Sequence, residues 1–312
     1  MFYLKKISSL IITLFLVSII TFFAFRVIPG DSAIAKLGMN ATEEQVEALR
    51  EELGLNDSLI KQYGSFIAGA VVGDFGNSTQ YNLPVSQLIA QRLPVTIWLS
   101  VLSFGFIVVF GISLGLLTSK KENGICDRLI TLSTQTFMAI PPFFLGILLT
   151  LIFGVVLHWF LPGNYVKPSS DFGGFISYMI YPALAVSIPK IAMVVKFLKT
   201  SVLRELRLDY VRTAKSEGQN EHAIMYHHVL KNALIPVITF MGMVISESLA
   251  GSIVVEQVFN LPGMGRLLVT GIFNRDYPVV QATVLYIAAI VIVINFIVDM
   301  LYQRVDPRIR LG

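Results

Sequence analysis

The chain has 312 residues, of which 54% are hydrophobic and only 14% charged, with a net charge of +4 and a mean hydropathy of +0.71. Soluble domains carry about 25% charged residues, so this balance excludes a water-soluble core and points to a bilayer protein, which the apolar runs below make an all-α integral membrane protein. The single cysteine, Cys126, excludes an intramolecular disulfide and a cysteine-built zinc site, and the modest charge, placed beside apolar runs, is a topological bias with no nucleic-acid partner implied.

Taken in chain order, six runs reach the roughly 20 apolar residues a membrane-crossing helix needs: 7–28, 94–119, 129–156, 175–198, 233–259 and 279–302. The first follows Lys5 and Lys6, but its apolar run is long and ends in FAFRVIPG without a small-x-small cleavage site, so it reads as an uncleaved helix. Residues 1–28 are thus a tail and first span, 29–93 an extracytoplasmic segment, and 94–312 a core of five spans with an inner loop at 199–233. Within 29–93, Thr42 and Gln45 have capping-box spacing, Val46, Leu49 and Leu53 share a face, and Gly54 ends that helix. A second short helix runs over 58–72, with Leu59, Tyr63, Ile67, Ala70 and Val71 in phase. These two helices make a cap over the bundle or a docking surface for an outside partner. The third span is interrupted by Pro141 and Pro142, the fourth by Pro182 and Pro189, which marks kinked helices in a bundle interior.

Lys and Arg counts give orientation. With the N-terminus inside, the inner segments hold Lys5, Lys6, Lys120, Lys121, Arg128, Lys199, Arg204, Arg207, Arg212, Lys215, Lys231, Arg304, Arg308 and Arg310, fourteen against seven outside (Lys36, Arg50, Lys61, Arg92, Lys167, Arg266 and Arg275). The positive-inside rule puts both termini and the 199–233 loop in the cytoplasm. Four ionisable residues fall inside spans. Glu256 and Asp299 sit near span ends, where a side chain reaches the interface, whereas Lys190 and Glu247 are deeper and either pair or face a hydrated path. His222, His227 and His228 crowd the inner loop, but His222 and His227 are five apart, off the i, i+4 spacing of two helical ligands, so no metal site is expected. There is no GxxxxGK[ST] loop, HExxH or GxSxG, hence no nucleotide hydrolysis by the P-loop route and no catalytic group in this chain.

The stretch DYVRTAKSEGQNEHAIMYHHVLKNALIPV, 209–237, is polar, helical and broken at one glycine. It continues the fourth helix, and Val202, Leu206, Val211 and Ala214 keep an apolar stripe while charges cover the other faces. Gly218 takes positive φ without penalty, ending one helix and letting a second begin at an angle, with Ile224, Val229 and Leu230 on its apolar side. The product is a helix hairpin outside the bilayer, suited to being gripped in a partner's groove.

RTAKSEG, closed by Gly218, resembles a divergent EAAxxxG loop of ABC importer permeases, and HHVLKNALIPV after it resembles the dipeptide, oligopeptide and nickel permease family. GDFGNS at 73–78, PVSQLIAQRLPVT at 84–96, YPALAVSIP at 181–189, VVEQVFNLPGMGRLL at 254–268, NRDYPVVQA at 274–282 and DPRIR at 306–310 look like that family's segments, in order along nearly the whole chain. Arg212 and Thr213 depart from the pattern, standing where other importer families have Glu-Ala, so no role falls to a glutamate there. The resemblance implies a six-helix permease bundle with a cytoplasmic coupling hairpin. It implies pairing with a second, homologous permease chain, two ATPase subunits that use ATP, an extracytoplasmic binding protein, and no cofactor in this chain. On it, Tyr210, Arg212, Thr213, Ala214, Glu217, Gly218 and Ile224 carry the coupling, and Pro141, Pro142, Lys190 and Glu247 border the pathway. Cargo on this resemblance is a di- or oligopeptide, with nickel or a metallophore–metal complex as the alternative. A gradient-driven secondary transporter is the competing class, and it leaves the large inner hairpin unexplained.

Overall fold

A computed structural model describes residues 2–27, 34, 37, 41–52, 54–120, 122 and 124–305; the DPRIR segment, Leu53, Lys36, Lys121 and the Asp299 and Arg304 side chains lie outside what it describes. In chain order the helices are α1 (Phe2–Val27), α2 (Glu43–Glu52), α3 (Leu59–Val72), α4 (Val85–Lys120), α5 (Ile125–Ala139), α6 (Pro142–Leu149, continued by a π-helical turn Thr150–Val156), α7 (Phe172–Glu205), α8 (Asp209–Ser216), α9 (Glu221–Ala223, continued by a π-helical turn Ile224–Val229), α10 (Leu230–Val258), α11 (Met264–Phe273) and α12 (Tyr277–Val305). Helices α1, α4, α7, α10 and α12 each carry a stretch long and apolar enough to cross a membrane, and α5 with α6 forms a sixth candidate bent by 106°. The chain divides into two compact units, Met1–Thr96 with Pro262–Val293, and Ile97–Leu261 with Ile294–Gly312.

In the first unit the expected capping box is present: the Thr42 N–H donates to Gln45 Oε1 at 3.1 Å and the Gln45 N–H to Thr42 Oγ1 at 3.3 Å, satisfying two of the helix's orphan donors. Gly54 follows α2 at φ +65°. Helix α3 is capped by Ser58, whose Oγ accepts from the Lys61 N–H, and is closed by Gly73 in the left-handed region. Its inward face differs from the expected one. Tyr63, Phe66, Ile67 and Ala70 are partly covered, while Leu59 and Val71 are exposed, because i, i+3, i+4, i+7 from Tyr63 is the row that meets α1. Tyr63 Oη lies 2.8 Å from Ser18 Oγ, and Phe22 packs 5.4 Å from the Tyr63 ring and 5.9 Å from Phe66.

Helix α4 begins nine residues before the start expected at Pro94. Val85, Leu88 and Ile89 are buried against Met264, Leu267, Val279 and Ala282, so this first stretch packs on protein and belongs to the helix before the lipid-crossing part. Pro94 sits inside α4 without ending it. The sequence reading also passed over α11, whose Met264 N–H donates to Thr96 Oγ1 at 2.8 Å. The loop before α4 is held by Asp276, which is fully buried and accepts from Ser78 Oγ and from the backbone N–H groups of Thr79 and Gln80 at 3.2 and 3.3 Å.

In the second unit α7 is the central helix, packed on α5, α6 and α10. Gly111 and Gly115 let α4 approach it: a Cβ on either would stand 2.8 Å from Val194 or 2.9 Å from Leu198. Pro182 and Pro189 interrupt nothing, contrary to expectation. Both are buried within a continuous α7, and Ser103 of α4 donates to the Ala183 carbonyl at 3.3 Å, tying this proline-bearing stretch to its neighbour. At Pro141 the chain does break. Ile140, preceding a proline, is forced into the extended region (φ −91°, ψ 123°), and α5 and α6 meet at 106° where a kinked rod was expected. Glu256 is fully buried and does not reach an interface.

The bent pair nonetheless spans the height of this unit. Asp127 of α5 accepts from Lys199 Nζ near the C-terminal end of α7, and Gly146 of α6 faces Ala185 and Phe259. The loop after α6 donates its Gly163 N–H to Tyr178 Oη at 3.0 Å, and that hydroxyl in turn donates to the Phe259 carbonyl at 2.6 Å. Lys199 and Tyr178 are 21 residues apart on α7. At 1.5 Å per residue that is about 31 Å, matching a hydrocarbon core of about 30 Å.

Candidate functional site

The predicted hairpin forms, with its boundary moved. Helix α7 does not run into it: the chain turns at 206–208, where the Leu206 and Leu208 N–H groups bond back to Val202 and Glu205, and α8 starts afresh at Asp209. An amphipathic stripe alone does not distinguish a continuous helix from two helices joined by a turn.

Helix α8 ends in a Schellman motif. The Gln219 N–H reaches the Ala214 carbonyl at 3.2 Å and the Gly218 N–H reaches Lys215 at 3.1 Å, with Gly218 at φ +79°. A Cβ on Gly218 would meet nothing within 4 Å, so the glycine is required by backbone conformation alone. Asn220 then caps α9, its Oδ1 accepting the Ala223 N–H at 2.6 Å, and the π-helical turn feeds into α10.

The seven coupling candidates divide into two sets. Ala214 and Ile224 are buried in the apolar core that also holds Val202, Val211 and Val229. Tyr210 is half-buried and donates to Glu205 Oε2 at 2.9 Å. Burial pushes its phenol above the ordinary value, with the Asn232 side chain opposing and Glu205 reinforcing, so Tyr210 stays a neutral donor at physiological pH. Arg212, Thr213, Glu217 and Gly218 are exposed and form the outer surface. The hairpin is therefore bolted to the bundle on one side and open on the other.

Sequence reasoning missed the bolts. Lys120, at the end of α4, donates to Tyr226 Oη at 2.8 Å and lies over its ring, while the His222 ring lies 4.5 Å from Tyr226 on the same turn. His228 Nε2 is 3.0 Å from Gln219 Oε1, and His227 Nδ1 is 3.3 Å from the Ala223 carbonyl. The three loop histidines thus have local partners. No spacing rule joins Lys120 to Tyr226, which are brought together only by tertiary folding.

Of the pathway candidates, Lys190 and Glu247 are brought together as an ion pair between the middle of α7 and the middle of α10. Pro141 is the N-cap of α6 and Pro142 its first residue, placing both at the bend, where the Pro142 ring would stand 4.0 Å from a Cβ on Gly251 of α10.

This architecture defines a multi-pass α-helical membrane component with a soluble hairpin presented between two spans. Residues 107–311 match the model of the "Binding-protein-dependent transport system inner membrane component" family and residues 1–100 match its N-terminal companion. The chain belongs to that family, the permeases of ABC importers. It is 36% identical to a "Probable peptide ABC transporter permease protein" of Sinorhizobium fredii, with 98% of each chain covered. It is 38% identical to the "Glutathione transport system permease protein GsiC" of Escherichia coli, again over 98% of each. The crystal structure of an amino acid ABC transporter with histidines is similar in fold, with a TM-score of 0.51 and 17% identity over 72% of this chain and 95% of that one.

Proposed function

We propose that this chain is the permease subunit through which an ATP-driven importer passes di- or oligopeptides. The observation that carries the reading is the hairpin 209–229, bolted through Val211, Ala214 and Ile224 and open along Arg212, Thr213 and Glu217. A face so anchored transmits a push from a docked partner to α7 and α10, between which it is strung. The peptide cargo follows from the near full-length likeness to peptide permeases. In the assembly a second permease chain completes the pathway, two ATPase subunits dock on the hairpins, and a binding protein delivers cargo to the outer mouth. Both termini lie in the cytoplasm, on the basic side of the inner membrane. The pathway runs along α7 and α10, with Lys190 and Glu247 on it and the Pro141–Pro142 bend beside it.

The test is reconstitution of the purified four-subunit membrane complex in proteoliposomes with its binding protein. ATP-dependent accumulation of labelled di- or tripeptide is the expected result. Uptake driven by an ion gradient without ATP would overturn the reading, as would uptake of nickel with no peptide competition.

A further inference from the structure

Lys190 is nineteenth in the 34-residue α7 and Glu247 eighteenth in the 29-residue α10, so their ion pair sits near the middle of two spans. The two ends of the pair are unequal. The Lys190 side chain is 15% exposed and Glu247 56% exposed in the isolated chain. A carboxylate this open at mid-membrane is costly against acyl chains, so its face turns to water or to protein. The same face continues along both helices. Met193 and Phe197 follow Lys190 at i+3 and i+7, and Phe240 and the exposed Met243 precede Glu247 at i−7 and i−4. Below them a cleft of about 420 Å³ opens, with Met138, Met193, Phe197, Pro236 and Phe240 as its apolar side and Lys196, Thr200, Ser201 and Arg204 as its polar side. Methionine and phenylalanine make a surface that adapts to varied apolar side chains, and the ion pair is the charged feature at its head.

We propose that the Lys190–Glu247 pair is a charge-exchange site for the two ends of a zwitterionic peptide. This rests on the peptide reading above. The more exposed Glu247 takes the cargo's terminal ammonium, and the Lys190 ammonium so released takes the cargo's carboxylate. One ion pair is exchanged for two, and no charge is stranded in the membrane at any stage. The cargo's side chains meanwhile lie on the Met–Phe face, which makes no demand on their identity. The site reads backbone termini and leaves the residues between them unread.

The experiment uses the whole complex in proteoliposomes with its binding protein. The cargoes are a dipeptide with free termini and its C-terminally amidated form, each loaded to saturation with occupancy fixed by calorimetry. Glu247→Gln is expected to slow uptake of both about tenfold or more, the size of one lost charge-assisted hydrogen bond, while loaded binding protein still stimulates ATP hydrolysis. Lys190→Met is expected to slow the free dipeptide by a similar factor and to spare the amide. Lys190→Arg, which keeps the charge, should retain uptake. The double variant Lys190→Met/Glu247→Gln separates recognition from bracing. If the pair only ties α7 to α10, two neutral partners restore the free dipeptide to the wild-type rate, and the proposal is overturned. Equal losses for free and amidated cargo in Lys190→Met, or failure of the double variant to assemble, would overturn it too. A wild-type complex that imports no peptide would instead sink the cargo reading itself.

Discussion

Gly218 and Gly242 are both glycines in helical surroundings, for opposite reasons. Gly218 sits at φ +79° with open space where a Cβ would go, so an alanine there pays only the left-handed backbone cost, about 1 kcal/mol. Gly242 has ordinary helical geometry, but a Cβ would stand 2.1 Å from Val298 Cγ1, where α10 meets α12. Gly218→Ala is therefore expected to leave the yield and thermal stability of the detergent-purified chain nearly unchanged. Gly242→Ala should force the two helices apart and lower both, which a paired melting measurement on the two variants reads directly. Only the first glycine was legible in the sequence, because a lone glycine in a polar helical stretch has a local meaning, whereas Val298 is distant along the chain. Asp276 shows the same limit. It reads as a loop acid, yet it is buried and carries three hydrogen bonds from Ser78, Thr79 and Gln80. Asp276→Ala leaves those donors unsatisfied and should cost about 2–3 kcal/mol, seen as a lowered melting temperature.

At the scale of elements, hydrophobic periodicity located every long helix but mistook how they join. It fixed the apolar stripe of Val202, Val211 and Ala214, all of them buried, and took that stripe as one helix across a turn at 206–208. It flagged Pro141 as a kink, while the extended conformation forced on Ile140 makes a 106° corner. It started α4 too late, since Val85, Leu88 and Ile89 bury against protein and leave no lipid-scale run of their own. The hairpin's division into two faces sets a further prediction. Ala214→Asp puts a carboxylate without a partner into the apolar core, at a cost on the order of 3 kcal/mol or more. It should reduce folded yield before any partner is added, so it says nothing about docking. Arg212→Glu changes only the exposed face, where its contact with Asp209 is a loose 3.6 Å pair open to water. It should leave yield and melting intact and weaken co-purification of the ATPase subunits. Normal co-purification and normal coupled uptake for both Arg212→Glu and Glu217→Arg would mean that the outer face of the hairpin is not the docking surface.

For the whole molecule the decisive element is the bent pair α5–α6. If it crosses the membrane, the chain has six crossings and both termini share a side; if it dips in and returns, there are five and the hairpin emerges on the same side as the 29–93 segment. Length and composition alone admit both counts. The contacts within the second unit favour crossing, since α5 begins level with Lys199 and the loop after α6 is tied to Tyr178, about 31 Å away along α7 at 1.5 Å per residue. The fourteen-to-seven excess of basic residues on the proposed inner segments agrees, because a five-crossing chain would put the Lys- and Arg-rich 199–233 loop outside. The measurement is labelling with a membrane-impermeant thiol reagent after the exposed Cys126 is replaced by serine. Thr42 and Ser216 are both exposed, so a cysteine at either is reachable from its own side. Thr42→Cys is expected to label in intact cells, and Ser216→Cys only after the membrane is opened. Labelling of both in intact cells would make the pair re-entrant and move the hairpin to the outer face. No cytoplasmic ATPase could then grip Arg212 and Thr213, so this one outcome would overturn the topology and the coupling role together.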